Sequence, residues 1–216
     1  MSFDRYIQLH YATACEMQRR ITNDSLMVEM LHNGPDNPEL VKRWMQEYGL
    51  FQGIETKKRT AIVKAFLTYA KLLKKPYGSI DAKAIETNYK ALLLALHKTV
   101  KRSWMSATSK LLWCIYPQNF VIYDAFVHRT LVVLQCLDDD LASFPRIGSA
   151  PEIKSRLDID RAVQYYMNYQ AMVQQLKTKH QATLDELRTK YKEQYAYDIR
   201  IIDKLLWMIG NAKKQY

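Results

Sequence analysis

Apolar residues return at intervals of three and four along almost the whole chain, and that spacing leaves room for little except helices. From Phe3 to Ile21 the residues Phe3, Ile7, Tyr11, Ala14 and Cys15 fall on one side of a helix. The segments that interrupt the pattern are few, because the 216 residues include only six glycines and six prolines. Strong helix formers fill the rest, which predicts an all-α protein with short connections. At 48% hydrophobic residues the chain can build a real core. The expected organisation is one compact helical domain over 1–216, or two lobes with a cleft near 100–130, with long C-terminal helices over 157–210 packing back on the core.

The punctuation places the helices. "TNDS" reads as a cap cluster before a second helix, "LMVEMLH", which stops at "NGPDNP". "PELVKRWMQEYG" reads as a third, with Pro38 in its first turn and Gly49 at its exit. A fourth starts near Thr56 and runs to the break at Pro76-Tyr77-Gly78. A fifth follows to Arg102, with Ser79 or Asp81 as its cap. Ser106 or Thr108 opens a sixth, "SKLLWCIY", ending at Pro117. A seventh begins at Asp124 and reads "AFVHRTLVVLQCL" before the acidic stop "DDD". Residues 143–156 read as a loop, and the chain is then helical from Leu157 to about Gly210. Within this stretch, 174–192 is highly charged with a thin stripe of Leu176, Leu184, Leu187 and Tyr191, which predicts a partly exposed helix.

Charge narrows the partners. The formal net charge is +10, a balance suited to a polyanion such as double-stranded DNA. Lys57, Lys58, Arg59, Lys64, Lys71, Lys74 and Lys75 form one run without acids. Lys98, Lys101, Arg102 and Lys110 form another, beside Trp104 and the hydroxyls Ser103, Ser106, Thr108 and Ser109. Helix ends and Ser/Thr-rich turns bind phosphates through N–H groups, hydroxyls and cations, and an aromatic in the same turn can stack on a base. Tyr165, Tyr166 and Tyr169 offer stacking surfaces or core, His10 could line a pocket, and Asp138, Asp139 and Asp140 read as a solvated acidic end or a place for a cation. No apolar run approaches the length that spans a bilayer, and the start lacks the apolar core of a signal peptide. Cys15, Cys114 and Cys136 are too scattered for zinc or disulfides and read as buried thiols of a cytoplasmic or nucleoid-associated protein. Neither a metal, a cofactor nor an obligate protein partner is expected.

One acid stands alone in the apolar stretch "SWMSATSKLLWCIYPQNFVIYDAFVHRTL". Asp124 follows an extended run and starts a helix, where its carboxylate caps N–H groups near Phe126 and Val127. The same placement holds it charged and immobile, able to stabilise a cation or to position a water. The oxocarbenium-like sugar of a breaking glycosidic bond is such a cation, and in DNA that bond belongs to a flipped nucleotide.

Here the chain resembles the helix-hairpin-helix DNA glycosylase superfamily, whose catalytic Asp opens a helix in a pattern close to P-V-D-x-x-V/I-x-R. The corresponding text is "NFVIYDAFVHR", with Asp124, Val127 and Arg129 at the matching places, and "SATSKLLWCIY" corresponds to the second helix of the hairpin. The ending "IRIIDKLLWMIG" resembles R-x-x-D-x-x-LW-x-x-G, found in helical relatives of these glycosylases, and places Arg200, Asp203, Leu206, Trp207 and Gly210 in a structural role. The resemblance implies a DNA glycosylase that flips and excises a damaged or modified base, in repair or antiviral defence. Asp124 is then catalytic, Trp104, Tyr123 and Tyr11 form the base pocket, and Lys57, Lys58, Arg59, Lys98, Lys101, Arg102, Ser106, Thr108, Lys110, His128 and Arg129 bind DNA.

Four departures refine it. "KTVKRSWMS" has no glycine where the family turn is Gly-rich, so Lys101, Arg102 and Ser106 would take over phosphate binding. Met105 stands where strand-cutting members carry a lysine, which implies a monofunctional enzyme using water. The family's His two residues after the Asp is Phe126, and the cysteines of an iron–sulfur centre are absent. The other functions compatible with these residues are a non-catalytic helical nucleic-acid-binding protein and a helical interaction protein in which Asp124 is a cap alone.

Overall fold

The computed structural model describes residues 2–20, 22–34, 36–73, 80–193, 195 and 197–211, the side chains of Thr22 and Arg156 excepted. Among these residues every regular element is a helix and there is no strand. Lys74, Lys75, the Pro76–Gly78 break and the candidate cap Ser79 lie outside them. No helix among the described residues is long and apolar enough to cross a membrane. The chain forms two compact units, each assembled from separated segments.

The first unit comprises Met1–Ile21, Val121–Ser149 and Tyr165–Tyr216. It holds α1 (Phe3–Arg19), α7 (Ala125–Leu134), α8 (Asp139–Ala142), most of α9 (Arg156–Lys179), α10 (Gln181–Tyr191) and α11 (Asp198–Gly210). Its axis is α11, which packs on α7 and α1, while α10 also packs on α1. Nearly every side chain of α11 is buried, including four charged ones. Burial of charge is tolerated where a partner neutralises it. Asp198 pairs with Arg188 and accepts from Gln181 Nε2 at 2.9 Å, Arg200 pairs with Asp203, and Lys204 Nζ sits 4.6 Å from the centre of the Trp207 ring.

The closest packing joins α11 to α7. Thr130 Oγ1 donates to the Leu206 carbonyl at 2.8 Å. A Cβ on Gly210 would stand 2.0 Å from the Phe126 carbonyl oxygen, so only glycine allows this approach. The ending expected to be structural therefore sits under the first turns of the helix that Asp124 opens.

The second unit comprises Thr22–Phe120 and Ala150–Gln164. It holds α2 (Thr22–Asn33), α3 (Pro38–Glu47), α4 (Thr56–Leu72), α5 (Ala82–Val100), α6 (Met105–Ile115) and the first turns of α9. Each of α2 to α6 packs on the next, and α6 returns to α2. Asn37 caps α3 through Leu40 N–H at 3.0 Å with Pro38 following, and Asp81 caps α5 through Ala84 N–H at 2.7 Å.

Several boundaries differ from expectation. The "TNDS" cluster lies inside α2, because Asp24 is drawn into the core, where Trp44 Nε1 and Tyr48 Oη both donate to it at 2.8 Å. Helix α6 starts at Met105 instead of at Ser106 or Thr108. Trp104 and Met105 are buried, and that apolar burial sets the start without a side-chain cap. Helix α7 ends at Leu134, so Cys136 falls in the following turn and is exposed, contrary to its reading as a buried thiol, whereas Cys15 and Cys114 are buried. The acidic "DDD" restarts a short helix, with Asp138 accepting from Asp140 N–H at 3.0 Å. The stretch from Leu157 to Gly210 is not one helix: α9 gives way to α10 at His180, α10 ends at Tyr191 and α11 starts at Asp198.

Candidate functional site

Asp124 sits at the N-cap of α7 with extended backbone, φ −142° and ψ 143°. Its Oδ1 accepts from Phe126 N–H at 2.8 Å, and Oδ2 accepts no hydrogen bond from the described residues. The carboxylate is half-buried. One oxygen is thus fixed by the helix and the other remains available, and the helix N-terminus favours the charged form.

The approach to Asp124 is an extended strap, 121–123, with no strand beside it among the described residues. A buried extended segment must still satisfy its backbone groups. Helix α9 does so with side chains. Val121 N–H donates to Gln170 Oε1 at 3.1 Å, Tyr166 Oη donates to the Val121 carbonyl at 2.8 Å, and Tyr169 Oη donates to the Ile122 carbonyl at 2.9 Å. Gln170 Oε1 also lies 2.6 Å from Tyr166 Oη, so the one phenolic proton is shared between two acceptors. Tyr166 and Tyr169 are wholly buried and Gln170 is 3% exposed, so the two tyrosines are core and offer no stacking face. Burial pushes the Tyr169 phenol far above its ordinary value, and the charges of Asp203 and Asp124 add to this, so it remains a donor.

Aromatic rings cluster at the residue before Asp124. Tyr123 meets Tyr165 edge-on at 5.9 Å and Tyr169 at 5.1 Å. Burial pushes the Tyr123 phenol up, and the Asp124 charge adds to it. His128, one turn into α7, lies 6.1 Å from the Tyr165 ring and donates from Nε2 to the Gly148 carbonyl at 2.9 Å. On the next side of α7 the exposed Arg129 guanidinium lies 5.3 Å from the centre of the Phe126 ring, which meets Trp207 edge-on at 5.7 Å. The first unit therefore gathers Tyr123, Asp124, His128 and Arg129 around one helix start. Tyr11 belongs to the same unit but is only 1% exposed, so it has no face to offer a base.

In the second unit the α5–α6 turn carries the cations. Lys98, Lys101 and Arg102 are exposed, and no acid occurs between Lys98 and Lys110. Lys101 takes the left-handed conformation, φ 53° and ψ 41°, and its N–H donates to the His97 carbonyl at 2.8 Å. A helix end usually places glycine there. The turn thus closes without a glycine, at the cost of a strained lysine. Arg102 donates to the Gln52 carbonyl at 2.9 Å, and Ser103 Oγ accepts from Ile153 N–H. The α6 N-terminus has no side-chain cap, and half-buried Ser106 stands in its first turn.

Other residues expected at the interface are committed elsewhere. Trp104 is 5% exposed, which leaves no ring face for a base. Thr108 is buried, and its hydroxyl donates back to the Trp104 carbonyl at 2.9 Å. Lys110 is buried as well, with Nζ donating to Ser106 Oγ at 2.6 Å and lying 5.7 Å from the centre of the Tyr48 ring. Arg59 Nε donates to the Ile54 carbonyl at 3.2 Å and its guanidinium lies over Phe51, which makes it a structural tie. Lys57 and Lys58 are exposed, but both pair with Glu55, at 3.0 and 2.9 Å. His10 packs on Tyr6 at 4.3 Å, and Asp138 and Asp140 pair with Lys179. Among the described residues no three His, Cys, Asp or Glu side chains gather to hold a metal ion.

Neither a family model, nor a characterised protein, nor a solved structure matches the chain.

Proposed function

We propose that the chain is a monofunctional DNA glycosylase acting on a damaged or modified base. The observation that carries this reading is the state of Asp124: one oxygen fixed by Phe126 N–H and the other without a bond among the described residues, at the end of a strap whose preceding residue, Tyr123, packs among aromatic rings. A carboxylate immobilised in this way stabilises positive charge on a sugar without reorganising. In the proposed reaction the bond between C1′ and the base nitrogen breaks and its electron pair leaves with the base. Asp124 stabilises the oxocarbenium-like sugar and orients a water whose oxygen bonds to C1′. The proton that the water releases balances the one that the departing base acquires. Met105 is buried, and Lys110 is held by Ser106, so water in place of a lysine amine serves as the nucleophile.

The exposed Lys98, Lys101 and Arg102, with Ser106 at an uncapped helix start, support binding to a duplex backbone. Arg129 and His128 supply further donors beside Asp124. Trp104, Tyr11, Thr108, Lys110 and Arg59 have no part in the proposal, and Tyr123 is retained from the expected pocket.

The test is direct. The protein is incubated with a panel of duplexes carrying damaged or modified bases and then treated with alkali, which breaks strands at abasic sites. Breaks confined to one class of base are expected. Duplex binding without breaks on any member would overturn the enzymatic reading in favour of a binding protein.

A further inference from the structure

We propose that Tyr169 is a positioning residue for Asp124, acting through the strap that α9 holds in place of a neighbouring strand. The inference deepens the glycosylase reading and, for its catalytic part, rests on it. Strands are normally held by backbone partners on a sheet. No strand lies beside the strap among the described residues, and Val121 N–H and the Val121 and Ile122 carbonyls are bound by Gln170, Tyr166 and Tyr169, which lie on one face of α9. Tyr169 binds the last of these groups, the Ile122 carbonyl, two residues before Asp124. Its ring also meets Tyr123 edge-on at 5.1 Å. One side chain therefore fixes both the backbone leading into Asp124 and the ring of the residue before it. From the other direction Asp124 is anchored by Phe126 N–H, and the Phe126 carbonyl rests against Gly210. The carboxylate is consequently held between two fixed points, α9 before it and α11 after it.

Removing only the Tyr169 hydroxyl leaves the ring in place and strands a buried carbonyl, a loss that loosens the strap before it unfolds the unit. The variant is Tyr169→Phe. Tyr69→Phe is the control, since it removes a hydroxyl that donates to Asn88 in the second unit. Amide hydrogen exchange is followed across the whole chain, together with the rate and substrate dependence of base release. In Tyr169→Phe the amides of Val121 and Phe126 are expected to exchange roughly tenfold faster relative to those of α11. The kcat for base release should fall by about tenfold with KM within about twofold, the mark of a lost contribution in the transition state. Tyr69→Phe should change neither. Unaltered exchange at Val121 and Phe126 overturns the inference whatever the activity, and so does faster exchange with an unchanged kcat. If the unaltered protein releases no base from any duplex, the glycosylase reading fails. The exchange result then decides by itself whether Tyr169 holds Asp124.

Discussion

Asp124 serves both as a helix cap and as a charged group, and the two roles separate by substitution. Asparagine caps a helix about as well as aspartate, whereas alanine does not. Asp124→Asn should keep the melting temperature, while Asp124→Ala should cost about 1 kcal/mol in chemical denaturation. Both should lose base release, because both lose the charge. A similar separation by pH is available at Glu193. Burial alone would raise its pKa, but the Arg19 guanidinium and Tyr195 N–H outweigh this and hold it below the ordinary 4.5. The Glu193 side chain is 8% exposed, so its pair with Arg19 is shielded from solvent on that side. A carboxylate with a lowered folded pKa stabilises above its unfolded value, and that stability disappears as pH falls through the folded value. The unaltered protein should therefore lose more melting temperature between about pH 6 and about pH 3 than Glu193→Gln does.

The elements around the carboxylate differ in how far the sequence reveals them. The ending "LWMIG" is legible as a structural motif, yet only packing explains its glycine, since the group it admits is the Phe126 carbonyl. Gly210→Ala should cost about 1–3 kcal/mol by forcing α11 away from α7, measured by denaturant unfolding. It should also slow base release, because α7 carries Asp124. At the α5–α6 turn the missing glycines are visible in "KTVKRSWMS", but the left-handed Lys101 that replaces them is not. Lys101→Gly should relieve that backbone and raise the melting temperature, with a gain of up to about 1 kcal/mol. It should weaken duplex binding at the same time. Trp104 and Tyr11 were legible as aromatic and not as buried, because the wall of a pocket and the inside of a core have the same composition. The α9 clamp escapes the sequence for a related reason. Residues 166, 169 and 170 share one face of α9, but the backbone they bind lies more than forty positions earlier.

Across the whole molecule, helical periodicity made the all-α class readable, because period is a local property. The division into two units draws on segments far apart in the chain, which no local pattern records. The net charge of +10 predicts that duplex binding weakens steeply with salt. Replacing Lys101 with alanine should reduce the magnitude of the log–log salt slope by about 1, while Lys110→Ala should leave that slope unchanged because its ammonium is buried. The measurement that bears most directly on the glycosylase reading compares the unaltered protein with Asp124→Asn on a single modified duplex. Alkali-revealed abasic sites, duplex affinity and melting temperature are recorded on the same samples. Retained affinity and melting temperature with loss of abasic sites is the predicted result, and equal abasic-site formation by Asp124→Asn would contradict it.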